Sequence, residues 1–173
     1  MHKNRIWILG TSGSGKTFLA KKLSDDLNIK HYDLDDIFWF RKYDKKRNER
    51  DRIKILSKIC KTEKWIIEGV FSSWVDKAIK RSDLVIWLDI HPSIMIWRVI
   101  SRFFKRRREH KESFKDLFVL IKYVISYRNK NQSAGYYKHK RLIEKHKVNF
   151  ICIKNKKELN KFLRRISKIE FLN

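Results

Sequence analysis

Apolar residues come in short, dense runs separated by charged stretches. Ile6-Trp7-Ile8-Leu9 stops at Gly10, the pattern of a strand buried on both faces of a parallel sheet. Gly10 to Gly15 reads as a loop, and Lys16 to Leu27 then carries Phe18, Leu19, Leu23 and Leu27 at helical spacing. A second strand is expected over Ile29–Leu34, ending in acids. Residues 41–64 are highly charged, with a narrow helical stripe of Ile53, Leu56, Ile59 and Cys60. Trp65-Ile66-Ile67-Glu68-Gly69 reads as a third strand, Trp74–Lys80 as a short helix, and Leu84–Leu88 as a fourth strand running into Asp89.

Pro92 suits the first turn of a long helix through Ile96, Trp97 and Ile100 into the cluster Lys105-Arg106-Arg107-Arg108. A helix or helix pair is expected over about 113–147, broken near Ser133-Ala134-Gly135, then a fifth strand at Phe150–Ile153 and a closing helix at Lys157–Ile166. Strands alternating with helices, several ending in acids or glycine, predict an α/β fold with a parallel sheet covered on both faces.

The 173 residues suit one domain over 1–173, and 42% hydrophobic residues supply a core. Two cysteines, Cys60 and Cys152, are too few for a disulfide scaffold. No apolar stretch reaches about 18 residues and no cleavable leader is seen, so the expectation is a cytoplasmic protein without a membrane segment. The formal charge is +24, and it is uneven: residues 1–90 hold 20 basic and 13 acidic side chains, residues 91–173 hold 23 and 6.

Gly10-Thr11-Ser12-Gly13-Ser14-Gly15-Lys16-Thr17 satisfies G-x-x-x-x-G-K-[ST] and sits between a strand and a helix, as that motif requires. The glycines let successive N–H groups converge on an anion, and the helix N-terminus adds positive potential. Lys16 is placed to reach the β- and γ-phosphates and the Thr17 hydroxyl to ligate Mg²⁺. The expectation is ATP with Mg²⁺, and an accidental Gly-rich turn is the weaker alternative.

Ligands of open α/β sheets lie beyond the carboxyl ends of the strands, so acids there carry most weight. Glu68 is the candidate for holding a Mg²⁺-bound water. Asp33 or Asp35 is expected to bind the acceptor or assist with the metal, whereas Asp36 suits a helix cap or a solvated acid and Asp89 either a cap or chemistry. Surface carboxylates remain the bland alternative.

Four segments carry a family resemblance: Ile8 to Thr17, Leu34-Asp35-Asp36-Ile37-Phe38-Trp39, Trp65-Ile66-Ile67-Glu68-Gly69, and Asp83 to Asp89. With Trp97-Arg98-Val99-Ile100-Ser101-Arg102, they make the chain resemble P-loop nucleoside kinases and, more narrowly, the small adenylate-kinase-related DNA topology modulation proteins. The match covers roughly residues 5–105, with a weaker echo at strand five. It implies a three-layer P-loop NTPase sandwich with a five-stranded parallel sheet of order 2-3-1-4-5 and a helical lid, here about 105–147. It further implies that Lys16 and Thr17 serve phosphate and Mg²⁺, that Asp35 faces the acceptor, that Glu68 replaces the usual Asp near the metal, and that Arg98 and Arg102 approach the phosphates. Gly69-Val70-Phe71 departs from the family's Gly-Asn-Tyr and bears on acceptor contacts. Asp33-Leu34-Asp35 also resembles the Asp-x-Asp of small-metabolite kinases such as shikimate kinase, where the first acid assists the metal and the second holds the acceptor hydroxyl.

Arg98, Arg102 and Arg106 share one helix face, suited to stabilising a transferring phosphoryl group, and Arg128 is placed to come back over the site; a solvated basic face is the alternative. The basic second half also predicts salt-dependent, non-specific attraction to nucleic acid, with Tyr123, Tyr127, Tyr136 and Tyr137 interleaved among Lys122, Arg128, Lys138 and Lys140 as stacking platforms. Trp39, Trp65, Trp87 and Trp97 are assigned to core or pocket wall. His31, His91, His110, His139 and His146 lack zinc-ligand spacing. The expected activity is transfer of the ATP γ-phosphoryl group to a nucleotide or other small acceptor. The alternatives are a nucleic-acid-associated NTP-binding protein and a polynucleotide-end kinase.

Overall fold

Strands buried on both faces need cover from both sides, and this chain sends its helices to opposite faces of one sheet. The protein is described by a computed structural model covering residues 4–41, 45–107 and 113–170. In chain order the elements are β1 (Arg5–Gly10), α1 (Lys16–Leu27), β2 (His31–Asp33), α2 (Leu34–Phe38), β3 (Trp39–Arg41) and β4 (Lys45–Lys46). Next come α3 (Glu49–Lys61), β5 (Trp65–Gly69), α4 (Asp76–Arg81), β6 (Leu84–Leu88) and α5 (Pro92–Arg107). The chain continues with α6 (Phe114–Ser126), α7 (Tyr136–His146), β7 (Phe150–Ile153) and α8 (Lys156–Glu170).

The main sheet is parallel throughout, in the order β2-β5-β1-β6-β7. Counted by its own strands alone this is 2-3-1-4-5; the labels shift because β3 and β4 form a separate antiparallel hairpin. Side chains alternate between two cores. Ile6, Ile8, Ile66, Leu84 and Ile86 meet Leu19 and Leu23 of α1, Met95 and Val99 of α5, Val124 of α6 and Phe162 of α8. Trp7, Leu9, Trp65, Ile67, Val85 and Trp87 meet Leu34 of α2, Leu56 and Cys60 of α3, Ile79 of α4, and Leu142 and Ile143 of α7.

Several expectations need correcting. Strand two ends at Asp33, not Leu34, because the Asp33 carboxylate accepts the Asp35 N–H (2.8 Å) and starts α2, turning Leu34 into the core. The helix-capping acid is therefore Asp33 rather than Asp36. Phe18, Ile53 and Trp97 point outward, Trp97 at 68% exposure, because Met95, Val99 and Phe103 form the inward stripe of α5. Arg108 and His110 lie outside the described residues.

Within the 105–147 segment, α6 joins the α1 face while α7 crosses to the other, where Asp76 of α4 accepts from Lys145 Nζ (2.9 Å) and His146 Nε2 (2.8 Å). The connection between them passes over the carboxyl ends of the strands: Ser133 O accepts from Ser72 Oγ (3.1 Å) and Arg128 Nη2 donates to Asp89 (2.7 Å). Asp89 thus anchors this crossing and does not cap α5.

At the opposite end of the sheet, Asp83 Oδ2 accepts the Asn4 and Arg5 N–H groups (3.1 and 2.9 Å), and Arg5 Nη2 donates to Asp83 Oδ1 (2.6 Å). Burial alone would raise the Asp83 pKa, but the Arg5 guanidinium and the two N–H groups outweigh it and hold the carboxyl below its ordinary value. The resulting stability is present above the unfolded-state pKa and is lost as pH falls through the lower folded-state value. Asp83→Ala is expected to cost about 1–3 kcal/mol at neutral pH in urea unfolding. The gap from wild type should shrink toward acid; a gap that stays constant down to pH 2 would contradict this.

Candidate functional site

The turn from β1 into α1 takes its shape from two left-handed glycines, Gly13 (φ 76°) and Gly15 (φ 98°). At Gly13 any side chain is also excluded, since a Cβ would lie 2.5 Å from the Met95 carbonyl of α5. Arg98 of α5 holds the same turn, its Nη1 donating to Gly13 O (3.2 Å) and Ser14 O (3.1 Å). In this conformation Arg98 braces the loop.

α1 starts on Gly15 with no side-chain cap, so its first-turn N–H groups lack intrahelical partners at the positive end of the helix. Thr11 Oγ1 and Ser14 Oγ are buried without a hydrogen-bond partner. Lys16 Nζ folds back onto Thr11 O (3.1 Å). Burial lowers the Lys16 pKa, opposed by Glu68, Asp35 and Asp33 and aided by Arg102. The expected site residues Glu68, Asp35, Asp33 and Arg102 are therefore all within electrostatic reach of Lys16. These features fit a polyphosphate.

Glu68, 1% exposed, shares register with Ile8 of β1 and Asp33 of β2, on the sheet face covered by α1. The Thr17 hydroxyl donates to Glu68 Oε2 (3.1 Å), and His31 Nε2 lies 3.2 Å from Oε1. The hydroxyl and carboxylate oxygens fit a hard cation such as Mg²⁺. Among the described residues no cage of three or more His, Cys, Asp or Glu is formed. A site using Thr17, Glu68, waters and phosphate oxygens does not need one.

Asp35 sits half-buried in the first turn of α2, within electrostatic reach of Tyr123 of α6. Tyr123, whose burial pushes its phenol up to about 12, closes that side of the site. Asp36 is exposed. Arg128 pairs with Asp89 beyond the carboxyl end of β6 and stacks on Tyr136, 4.6 Å from the ring centroid. His31 was missed as a site residue. Period two puts it on the face of Asp33, but only the β2–β5 register brings it to Glu68.

No family model matches the chain. It is 39% identical over 105 residues to the uncharacterized protein YqaC of Bacillus subtilis strain 168, covering 60% of this chain and 59% of that protein. It is 34% identical over 96 residues to a putative adenylate kinase of Saccharolobus islandicus (50% and 49% covered). It is 32% identical over 111 residues to a cytidylate kinase of Pyrococcus horikoshii (56% of each). The chain thus spans about half to three-fifths of the length of these curated relatives. Among solved structures, shikimate kinase from Acinetobacter baumannii in complex with shikimate superposes at TM-score 0.58 with 13% identity, over 97% of this chain and 93% of that one. Shikimate kinase from Bacteroides thetaiotaomicron gives TM-score 0.53 with 16% identity, over 97% and 98%. The fold is that of the P-loop kinases. Among the described residues no helix is long and apolar enough to cross a membrane.

Burial, and then the neighbouring charge of Glu68, raise the Asp33 carboxyl to about 6 despite the Asp35 N–H it accepts. A raised acid favours folding below its unfolded-state pKa, and that contribution is lost as pH rises through about 6. Asp33→Asn keeps a capping oxygen without the charge. In the ligand-free protein it is expected to raise the urea midpoint at pH 8 and to leave it unchanged below pH 4; a lower midpoint at pH 8 would show that the charge itself is stabilising.

Proposed function

We propose that the chain is a Mg²⁺-dependent phosphotransferase that moves the ATP γ-phosphoryl group to a nucleotide or another small acceptor. The observation that carries this reading is the Thr17–Glu68 hydrogen bond, which puts a hydroxyl and a buried carboxylate beside Lys16 at an uncapped helix N-terminus. The sequence relatives include a putative adenylate kinase and a cytidylate kinase, which supports a nucleotide or small-molecule acceptor.

The loop N–H groups and Lys16 hold the triphosphate, and Arg98 keeps the loop in shape. Thr17 and Glu68, assisted by Asp33, hold the metal end. Bound Mg²⁺ would offset charge on the phosphate oxygens. Asp35 orients the acceptor, and Arg102, on the Arg98 side of α5, stabilises charge on the transferring group.

A second reading, an NTP-binding protein that acts on or with nucleic acid, draws on the exposed Lys138, Lys140, Arg141, Lys157, Lys161, Arg164 and Arg165 of α7 and α8.

The test is Mg-ATP consumption by wild type and Lys16→Ala with nucleoside monophosphates, small hydroxylated metabolites, and DNA or RNA ends. The expected result is phosphorylation of a small acceptor that falls by about 10²-fold or more in Lys16→Ala. Turnover only with polynucleotide, weakening steeply with salt, would overturn the first reading in favour of the second. Asp35→Asn is expected to lower acceptor-dependent turnover by about 10²-fold or more while ATP affinity changes little. Equal loss of both would remove Asp35 from the acceptor side.

A further inference from the structure

A buried file of hydrogen bonds runs from β6 to the segment that follows Glu68. Trp87 Nε1 donates to the Tyr127 hydroxyl (3.1 Å), that hydroxyl lies 2.8 Å from His139 Nδ1, and His139 Nε2 lies 2.6 Å from the Val70 carbonyl. The order of donors is fixed by chemistry. A carbonyl only accepts, so His139 Nε2 carries the proton; Nδ1 then accepts from Tyr127, whose oxygen in turn accepts the indole N–H. Every member is satisfied, and His139 is 0% exposed. Burial, with Lys16 adding to it, lowers the imidazole pKa to about 4 against the Val70 carbonyl, so the ring is neutral at physiological pH.

Val70 is two residues past Glu68, and the turn between them is gripped from the other side as well. A Cβ on Gly69 would lie 2.7 Å from Leu34 Cδ1 of α2. Two residues further on, Ser72 Oγ donates to Ser133 O (3.1 Å) in the same α6–α7 crossing that supplies Tyr127. The end of β5 is thus clamped between α2 and a crossing whose first two residues are tied to Trp87 of β6 by Tyr127 and to Asp89 just after it by Arg128.

We propose that His139 is a positioning residue: through the Val70 carbonyl it fixes the backbone at the end of β5 and so sets the reach of the Glu68 carboxylate toward Thr17. This inference rests on the role given to Glu68 above. The ring acts through its Nε2 donor, and two amide replacements separate the functions of its nitrogens. His139→Asn leaves an acceptor near Nδ1 but withdraws the donor to Val70; His139→Gln puts an amide donor near Nε2.

The test measures affinity for a non-hydrolysable ATP analogue with and without Mg²⁺ by calorimetry, and amide hydrogen exchange over residues 69–72. Wild type should bind more tightly with Mg²⁺. His139→Asn is expected to lose about tenfold or more of that gain while Mg²⁺-free affinity stays within about threefold, with faster exchange at 69–72. His139→Gln should keep most of the gain. An unchanged gain in folded His139→Asn, or an equal loss in His139→Gln, would overturn the inference and leave His139 a packing residue. A wild type without any Mg²⁺-dependent gain would overturn the functional reading first, and this one with it. Should His139→Asn not fold, Tyr127→Phe, which removes the hydroxyl that donates to Nδ1 and holds the ring against the Val70 carbonyl, is expected to lower the gain several-fold, and an unchanged gain there overturns the inference equally.

Discussion

The turn from β1 into α1 is wedged between α5 and the end of β5, and this wedge decides where the other groups of the site can sit. On one side, the approach of Gly13 to the Met95 carbonyl leaves no room for a side chain, and Arg98 ties the loop carbonyls to α5. On the other, the Thr17 hydroxyl reaches across to Glu68. A loop held at both flanks keeps its N–H groups pointing inward before any ligand arrives, and preorganisation of this kind is what electrostatic catalysis depends on.

The charge distribution follows from that geometry. A chain with an excess of 24 positive charges nevertheless gathers Glu68, Asp35 and Asp33 around the single ammonium of Lys16. Asp33 and Glu68 face each other across adjacent strands, and burial, with the Glu68 charge adding to it, raises the Asp33 pKa. Such a pair is relieved by a proton or by a cation. The proposed Mg²⁺-nucleotide site would benefit from both signs of charge held close and partly dehydrated.

Much of this was legible in the sequence, for identifiable reasons. β1, β5 and β6 are buried along their apolar runs and β7 is a half-buried one, which single-chain patterning detects, and the G-x-x-x-x-G-K-[ST] turn is marked by its spacing. Strand two was overextended because Leu34 is apolar in either conformation, and only the Asp33 cap decides where the strand ends. The β3–β4 hairpin is too short and too charged to leave a period. The chemistry of Trp97 suggests core or pocket wall, whereas its position midway between Met95 and Val99 turns it away from the inward stripe of α5. Contacts made at long range were illegible: His31 with Glu68, Arg128 with Asp89 and His139 with Val70 join residues separated by 37, 39 and 69 positions. Those pairings depend on strand order and register, which no local pattern encodes.

The central claim is that the β1–α1 turn, with Thr17 and Glu68 beside it, is a Mg²⁺-nucleotide site. A crystal structure of the protein with Mg²⁺ and a non-hydrolysable ATP analogue tests it most directly. The phosphates are expected on the N–H groups of residues 13–17, with the metal on the Thr17 hydroxyl and facing Glu68. A nucleotide bound elsewhere, or a metal held away from Thr17 and Glu68, would contradict it.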